Sequence, residues 1–401
     1  MAVFTANRAE YGLLYSVIRA LAKADGLDCK LIVSGSHLDE RFGSTQAEIE
    51  ADGIFIAYKI ATSPEDDSLA ATARSIGNGI AETVSALTEL QPDWLLVYGD
   101  RFETFAATIA GTQLGIPTAH VEGGDLTEGG ALDDSVRHAI SKLAHVHFPT
   151  NRQAKNRLMA MGEEAWRINM VSLPSLDSIK DGDFCSQSEV AKRLQIDPAK
   201  PIVLFTQHSI ATRSGDAGQQ ITASLEALGT LAAEGVQIII TYPNNDAGGL
   251  EIANAIEVFA AKSSHSFTLS KSLGRRLYHG VLALARNRDS NIACAGNSSS
   301  GLKETPVFGC PTVNIGPRQD GRLRAENVLD APHDAAAIDQ ALRTALFDDE
   351  FRARCRVVID PYDNGPSGAT IAEVLSTAEM GATLITKRCT LSGQEKDGWY
   401  Q

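Results

Sequence analysis

Short apolar runs that alternate with longer helical stretches constrain this chain more than any other feature. Parallel strands need a crossover connection, and a helix is the usual one, so the alternation predicts parallel sheets covered by helices. The runs fall at residues 3–5, 29–34, 55–59, 93–98, 118–121, 146–149 and 168–171, with helical character at 11–24 and 68–89 between them. Over residues 177–201 the rhythm breaks into a polar, charged stretch, and a second series follows at 202–205, 237–241, 291–294 and 312–315. Helical segments at 333–347 and 368–378 close the chain, and 395–401 reads as a frayed polar tail. No internal repeat, low-complexity tract or heptad pattern is seen. The expected fold is α/β, with two doubly wound Rossmann-like domains facing a cleft. Residues 1–177 form the first domain and 178–365 the second; 366–401 give a C-terminal helix packing back toward the first domain, plus the tail. The chain's 401 residues are enough for two cores.

Charge and motif content remove several function classes. With 36 Lys plus Arg against 50 Asp plus Glu, the net charge of −14 offers no broad basic surface for nucleic acid or an anionic membrane. No apolar run approaches the roughly 18 residues of a membrane span. The start MAVFTANRAEYG lacks a basic region followed by a long apolar stretch, so no signal peptide is expected and the cytoplasm is the expected compartment. The six cysteines, Cys29, Cys185, Cys294, Cys310, Cys355 and Cys389, include no CxxC pair and read as reduced packing residues. His145 and His147 alternate on one strand face, but without HExxH or DxH they read as packing and hydrogen-bonding residues, and no metal is expected; His120 reads as core-facing. Neither GxxxxGK[ST] nor GxGxxG after a strand occurs, so P-loop hydrolysis and ordinary dinucleotide binding lack support.

Ligands of open α/β sheets bind outside the carboxyl ends of the strands, so unusual residues there carry the functional argument. The run DWLLVY is followed by Gly99-Asp100-Arg101, placing a carboxylate and a guanidinium at such an end; helix capping by Asp100 is the plain alternative. The next strand ends in Glu122-Gly123-Gly124-Asp125, and a Gly-rich loop at residues 127–130 leads to a helix opened by Asp133 and Asp134. Asp133 and Arg137 lie four apart and share a helix face. In the second domain His208 and the run Tyr242-Pro243-Asn244-Asn245-Asp246 follow consecutive strands. After the strand at 291–294, the turn Gly296-Asn297-Ser298-Ser299-Ser300-Gly301 leads into a helix, offering amide N–H groups to a pyrophosphate. Serine N-capping is the alternative there. Glu304 is placed to accept ribose hydroxyls, and Arg318 and Arg322 to reach phosphates. A nucleotide held in one domain and three carboxylates in the other fit nucleotide-sugar chemistry.

The runs TANRAEYG, GSHLDERFG, YGDRFE, HVEGGDLTEGGALDDSVRHAISKLAH, GNSSSGLKE and GPRQDGRLRAENVL, in this order from about residue 5 to 375, resemble the hydrolysing UDP-N-acetylglucosamine 2-epimerases of sialic and legionaminic acid biosynthesis. The resemblance implies a glycosyltransferase-B-like fold with UDP held mainly by the C-terminal domain. By motif it places Asp100, Glu122 and Asp133 on the catalytic carboxylates and His208 on the catalytic histidine. It places Arg8, His37, Arg101, Asp134 and Arg137 on substrate contacts, and Ser298, Ser299, Glu304 and Arg318 at the nucleotide, with Asn244 and Ser300 beside them. One departure is Gln207-His208-Ser209-Ile210, where relatives usually carry proline after the histidine.

The chemistry agrees with the resemblance. A hexose C2 hydrogen has no neighbouring carbonyl to acidify it, so its removal becomes feasible only as UDP leaves C1. A 2-acetamidoglucal forms, water adds at C1, and a proton returns to C2 from the other face, which needs acids or bases on both sides of the ring. No cofactor is required. The expected partners are a UDP-sugar, either UDP-N-acetylglucosamine or UDP-N,N'-diacetylbacillosamine, and the UDP product, in a homodimer or higher homo-oligomer. A non-hydrolysing epimerase, a glycosyltransferase and a non-catalytic nucleotide-sugar sensor are the competing readings.

Overall fold

A computed structural model describes residues 1–66, 68–127, 132–210, 215–244, 247–262, 267–391, 393, 395–396 and 399–400. The chain divides into two compact units, one of residues 1–126, 133–177 and 362–401 and the other of residues 127–132 and 178–361.

The first unit holds six parallel strands, β1 (Ala2–Thr5), β2 (Lys30–Ser34), β3 (Ile56–Ile60), β4 (Leu95–Tyr98), β5 (Thr118–Val121) and β6 (Val146–Phe148), in the order β3-β2-β1-β4-β5-β6. Both faces are covered, which is why the strands read as nearly continuous apolar runs. Val3, Val33, Leu96 and Val121 pack on one side against the helices Arg8–Lys23 and Gly368–Thr377, while Phe4, Ile32, Leu95 and Val97 face the other. Gly368 is a close-approach glycine, since a Cβ there would lie 2.9 Å from the Ser16 carbonyl oxygen.

The second unit repeats the plan with β7 (Ile202–Thr206), β8 (Gln237–Thr241), β9 (Phe267–Ser270), β10 (Ile292–Gly296), β11 (Thr312–Ile315) and β12 (Val328–Ala331), all parallel, in the order β12-β11-β10-β7-β8-β9. Both sheets therefore have the doubly wound Rossmann order, reversing direction at β1/β4 and at β7/β10. The architecture is glycosyltransferase-B-like, with two Rossmann-like domains in one chain.

Four expectations are corrected. Residues 168–171 form no strand: Asn169 and Val171 donate to the carbonyls of His147 and Pro149, but Pro149 has no N–H to return, and one isolated bridge remains. The chain re-enters the first unit at Tyr362, whose carbonyl accepts the Leu173 N–H at 3.0 Å. The end of the chain, expected to be frayed, carries a short antiparallel ladder that pairs Glu395 with Tyr400 and Lys396 with Trp399. Cys389 is exposed rather than packed, and all six thiols are free. No helix among the described residues is long and apolar enough to cross a membrane.

Burial, above all, holds three imidazoles of the first unit neutral, with His37 and His120 pushed down to about 3 and His145 to about 4. In the unfolded chain these rings bind protons near pH 6.5, so the unfolded state gains protons first as pH falls. At pH 5 a ring held at about 3 costs about 2 kcal/mol of stability. Glu10, raised to about 7 chiefly by burial, acts in the opposite sense: its contribution is present at low pH and lost as pH rises through about 7. Three rings outweigh one carboxyl, so the unit's urea midpoint, followed through the fluorescence of buried Trp94, is expected to fall between pH 7 and pH 5. A midpoint unchanged or higher at pH 5 would contradict this.

Candidate active site

In the first unit the chain leaves β4 through Gly99, whose φ of +70° turns it sharply, and delivers Asp100 at the strand's carboxyl end. The Gly99 N–H still bonds the Val121 carbonyl at 3.0 Å. Its carbonyl accepts from His120 Nε2 at 2.7 Å, which fixes the proton on that nitrogen, while Nδ1 faces Ser141 Oγ at 3.1 Å. His120 is thus core-facing, as expected, and braces the turn. On the neighbouring strand end Glu122 adopts φ +67°, a left-handed conformation uncommon outside glycine, while its N–H bonds the Phe148 carbonyl at 2.9 Å. The buried hydroxyl of Tyr98 donates to Glu122 Oε2.

Asp100 does not cap the following helix Phe102–Gln113, whose N-cap is Arg101 with no side-chain cap bond. It instead accepts from Arg137 Nη2. Arg137, on the helix Asp133–Leu143, is only 1% exposed and also donates through Nη1 to Asp134 Oδ1 and to the Asp125 carbonyl, each at 2.8 Å. Arg137 is therefore a buried hub joining a strand end, a helix start and the Glu122-Gly123-Gly124-Asp125 turn. Asp133 and Asp134 open that helix half-buried. The same turn is pinned by Arg157 on the Gly124 carbonyl and by Asn151 on Asp125. The Gly-rich loop lies outside the described residues from Glu128 to Ala131.

His37 lies in the interior of the first unit. It is 0% exposed, with Nε2 on Thr5 Oγ1 at 3.1 Å and Nδ1 on Thr45 Oγ1 at 2.8 Å, so it ties β1 to the segment after β2. Arg8 begins the helix Arg8–Lys23 and is half-buried. Arg101 is held through Nε and Nη2 by Glu103, at 3.1 and 3.4 Å, and Glu10 lies buried nearby with its Oε2 on the Ala6 N–H at 2.7 Å. Sequence reasoning missed Tyr98, Glu10 and Glu103; they read as a core strand residue and as ordinary acids of first helical turns. His147 pairs with Glu163 at 3.0 Å and His145 Nδ1 accepts the Thr118 N–H at 3.0 Å. Among the described residues no group of three or more His, Cys, Asp or Glu is placed to hold a metal ion.

In the second unit the reversal point β7/β10 is clasped by Asn297. Its Oδ1 accepts the His208 N–H at 2.7 Å, its Nδ2 donates to the His208 carbonyl at 2.8 Å, and its own N–H bonds the Thr206 carbonyl at 3.1 Å. Gly296 makes this approach possible, because with φ +118° a Cβ there would collide with the Thr206 carbonyl oxygen. His208 is buried, and its Nδ1 accepts the Asn244 N–H at 3.1 Å, so the neutral ring carries its proton on Nε2. Ser209, which follows the histidine where relatives usually carry proline, is buried; residues 211–214 and Asn245-Asp246 lie outside the described residues.

The element after β10 differs from the single helix expected. Two four-residue turns, Ser300–Lys303 and Thr305–Phe308, meet at Glu304, with Pro306 interrupting continuity. Ser299 makes no side-chain cap bond, and the amide N–H groups of Ser298, Ser299 and Ser300 meet no backbone acceptor among the described residues. Arg318 is fixed on the Asn297 carbonyl at 3.2 Å and Arg322 on Gln319 Oε1 at 2.7 Å. Burial, with Arg322 adding to it, pushes the ammonium of Lys303 well below its usual range. The second unit thus combines amide donors, three hydroxyls and two fixed guanidinium groups, a set suited to phosphate oxygens.

Residues 19–376 match the family described as UDP-N-acetylglucosamine 2-epimerase. The chain is 33% identical over 329 residues to the GDP/UDP-N,N'-diacetylbacillosamine 2-epimerase (hydrolyzing) of Campylobacter jejuni, covering 82% of this chain and 83% of that protein. It is 32% identical over 384 residues to the UDP-N,N'-diacetylbacillosamine 2-epimerase (hydrolyzing) of Legionella pneumophila, covering 96% and 97%. The fold is similar to the crystal structure of UDP-GlcNAc 2-epimerase from Neisseria meningitidis bound to UDP-GlcNAc, with a TM-score of 0.76 at 18% identity over 94% of this chain and 98% of that one.

Proposed function

The chain belongs to the UDP-N-acetylglucosamine 2-epimerase family, and from that premise we propose that it is a hydrolysing 2-epimerase of a UDP-2-acetamido sugar. It releases UDP and the free manno-configured sugar, a precursor of sialic or legionaminic acid type. The observation that carries this reading is the carboxylate group of the first unit: Asp100 and Glu122 stand at the ends of adjacent strands, and Arg137 links Asp100 to the helix start bearing Asp133 and Asp134. A site that only bound a sugar would gain little from acids gathered at cost around one buried guanidinium.

The roles follow from the local chemistry. Asp100, Glu122 and Asp133 take and return protons at C2 and activate water for C1. His208, with Nδ1 occupied by the Asn244 N–H, presents an Nε2 proton donor to charge developing on the leaving diphosphate. The amide N–H groups of residues 298–300 and Arg318 receive the diphosphate oxygens, and Glu304 the ribose. The names of the Campylobacter and Legionella relatives favour UDP-N,N'-diacetylbacillosamine as substrate, with UDP-N-acetylglucosamine as the comparison.

Proton NMR of the protein with each UDP-sugar is expected to show free manno-configured sugar accumulating in step with UDP, faster with the diacetylated substrate. Intact UDP-manno sugar would make it a non-hydrolysing epimerase, and no change in either sample would remove the epimerase reading. For the nucleotide site, Ser298→Ala is expected to weaken UDP binding roughly fivefold, and Glu304→Ala by more, in calorimetry. Wild-type affinity in both variants would remove the assigned nucleotide site.

A further inference from the structure

Glu304 sits at the break between two four-residue helical turns. Its carboxylate meets a side chain distant in sequence. His279, on the helix Gly274–Ala283, places Nε2 at 3.0 Å from Glu304 Oε1, and the two residues are 2% and 7% exposed. The ring is packed edge-on to Tyr278 and tilted against Phe308, with centroids at 6.2 and 6.0 Å. Its Nδ1 is buried without a hydrogen-bond partner. A proton on Nδ1 would be a buried, unsatisfied donor, so the proton belongs on Nε2 and is donated to the carboxylate.

We propose that His279 is a positioning residue that orients the Glu304 carboxylate toward the ribose hydroxyls and so sets the preference for a ribonucleotide over a 2′-deoxyribonucleotide. The inference rests on the reading that Glu304 receives the ribose. Acidic side chains at nucleotide sites commonly bond the ribose 2′-hydroxyl, and such a bond discriminates only if the carboxylate plane is fixed before binding. The hydrogen bond from Nε2 fixes it.

The test compares UDP with 2′-deoxy-UDP by calorimetry. The wild-type chain is expected to prefer UDP by roughly 10- to 100-fold, as for a hydrogen bond to a charged group. His279→Gln, whose amide nitrogen falls near Nε2, should keep most of that ratio. His279→Asn, whose nitrogen falls near Nδ1, should bring it to within about threefold while 2′-deoxy-UDP affinity stays unchanged. Equal, wild-type ratios in both variants would overturn the proposal. If Glu304→Ala keeps the wild-type ratio, the ribose reading itself fails; if Glu304→Ala loses it while His279→Asn does not, only the positioning role falls. Should the Asn variant not fold, the wild-type chain decides: the His279 Nε2–H signal in long-range proton–nitrogen spectra, identified by its absence in His279→Gln, is expected to move with UDP and not with 2′-deoxy-UDP. Equal movement with both nucleotides, or none, would refute the role.

Discussion

Asp100→Asn is expected to yield a folded protein that binds UDP as the wild type does and turns over roughly 10²- to 10⁴-fold more slowly. Asparagine keeps the shape of the side chain and can still accept from Arg137 Nη2 through its amide oxygen, so the bond across the hub survives in part. Arg137 also retains Asp134 and the Asp125 carbonyl, so it is not left uncompensated in the interior. What asparagine cannot do is take a proton. UDP release under saturating substrate, with UDP calorimetry on the same preparation, separates the two effects. Lost UDP affinity would make Asp100 a structural residue, and unchanged turnover would take it out of the chemistry.

Arg137→Ala is the larger structural perturbation. It removes donors to two carboxylates and one carbonyl from a residue that is 1% exposed. Breaking a buried ion pair from one side costs about 3 to 5 kcal/mol, because the partner charges lose their compensation. For a unit of this size that corresponds to a melting temperature lower by roughly 10 °C, together with loss of turnover. Arg137→Lys keeps the charge but cannot reach Asp100, Asp134 and the Asp125 carbonyl together, so it is expected to recover stability in part and activity little. A melting temperature of Arg137→Ala within about 2 °C of wild type would show that the hub does not anchor these carboxylates.

The sequence made the double Rossmann plan legible because buried parallel strands are apolar on both faces and the crossover helices separate them cleanly. It missed β9 and β12, where FTLS and VLDA are short and half-buried, so no apolar run marks them. Residues 168–171 had the right composition for a strand, but the partner's proline lacks the N–H a ladder needs. At the site, the acids at the strand ends could be read from position alone. The partners of Arg137 could not: four residues after Asp133 on a helix it reads as sharing a face with that residue, whereas the fold joins it to Asp134 and to Asp100, 37 residues away. His37 is a similar case, with two threonine partners, one 32 residues away, that no local pattern indicates. The left-handed turn at Glu122 is likewise invisible in residue types, since glutamate carries no preference for it.

The most direct test of the account is turnover of UDP-N,N'-diacetylbacillosamine and UDP-N-acetylglucosamine in D2O, followed by proton NMR and mass spectrometry. Elimination and hydration with proton return to C2 predict free manno-configured sugar carrying one deuterium at C2, released in step with UDP. Free sugar that retains its C2 proton and its original configuration would mean simple hydrolysis of the glycosyl phosphate, and would contradict the proposed chemistry at Asp100, Glu122 and Asp133.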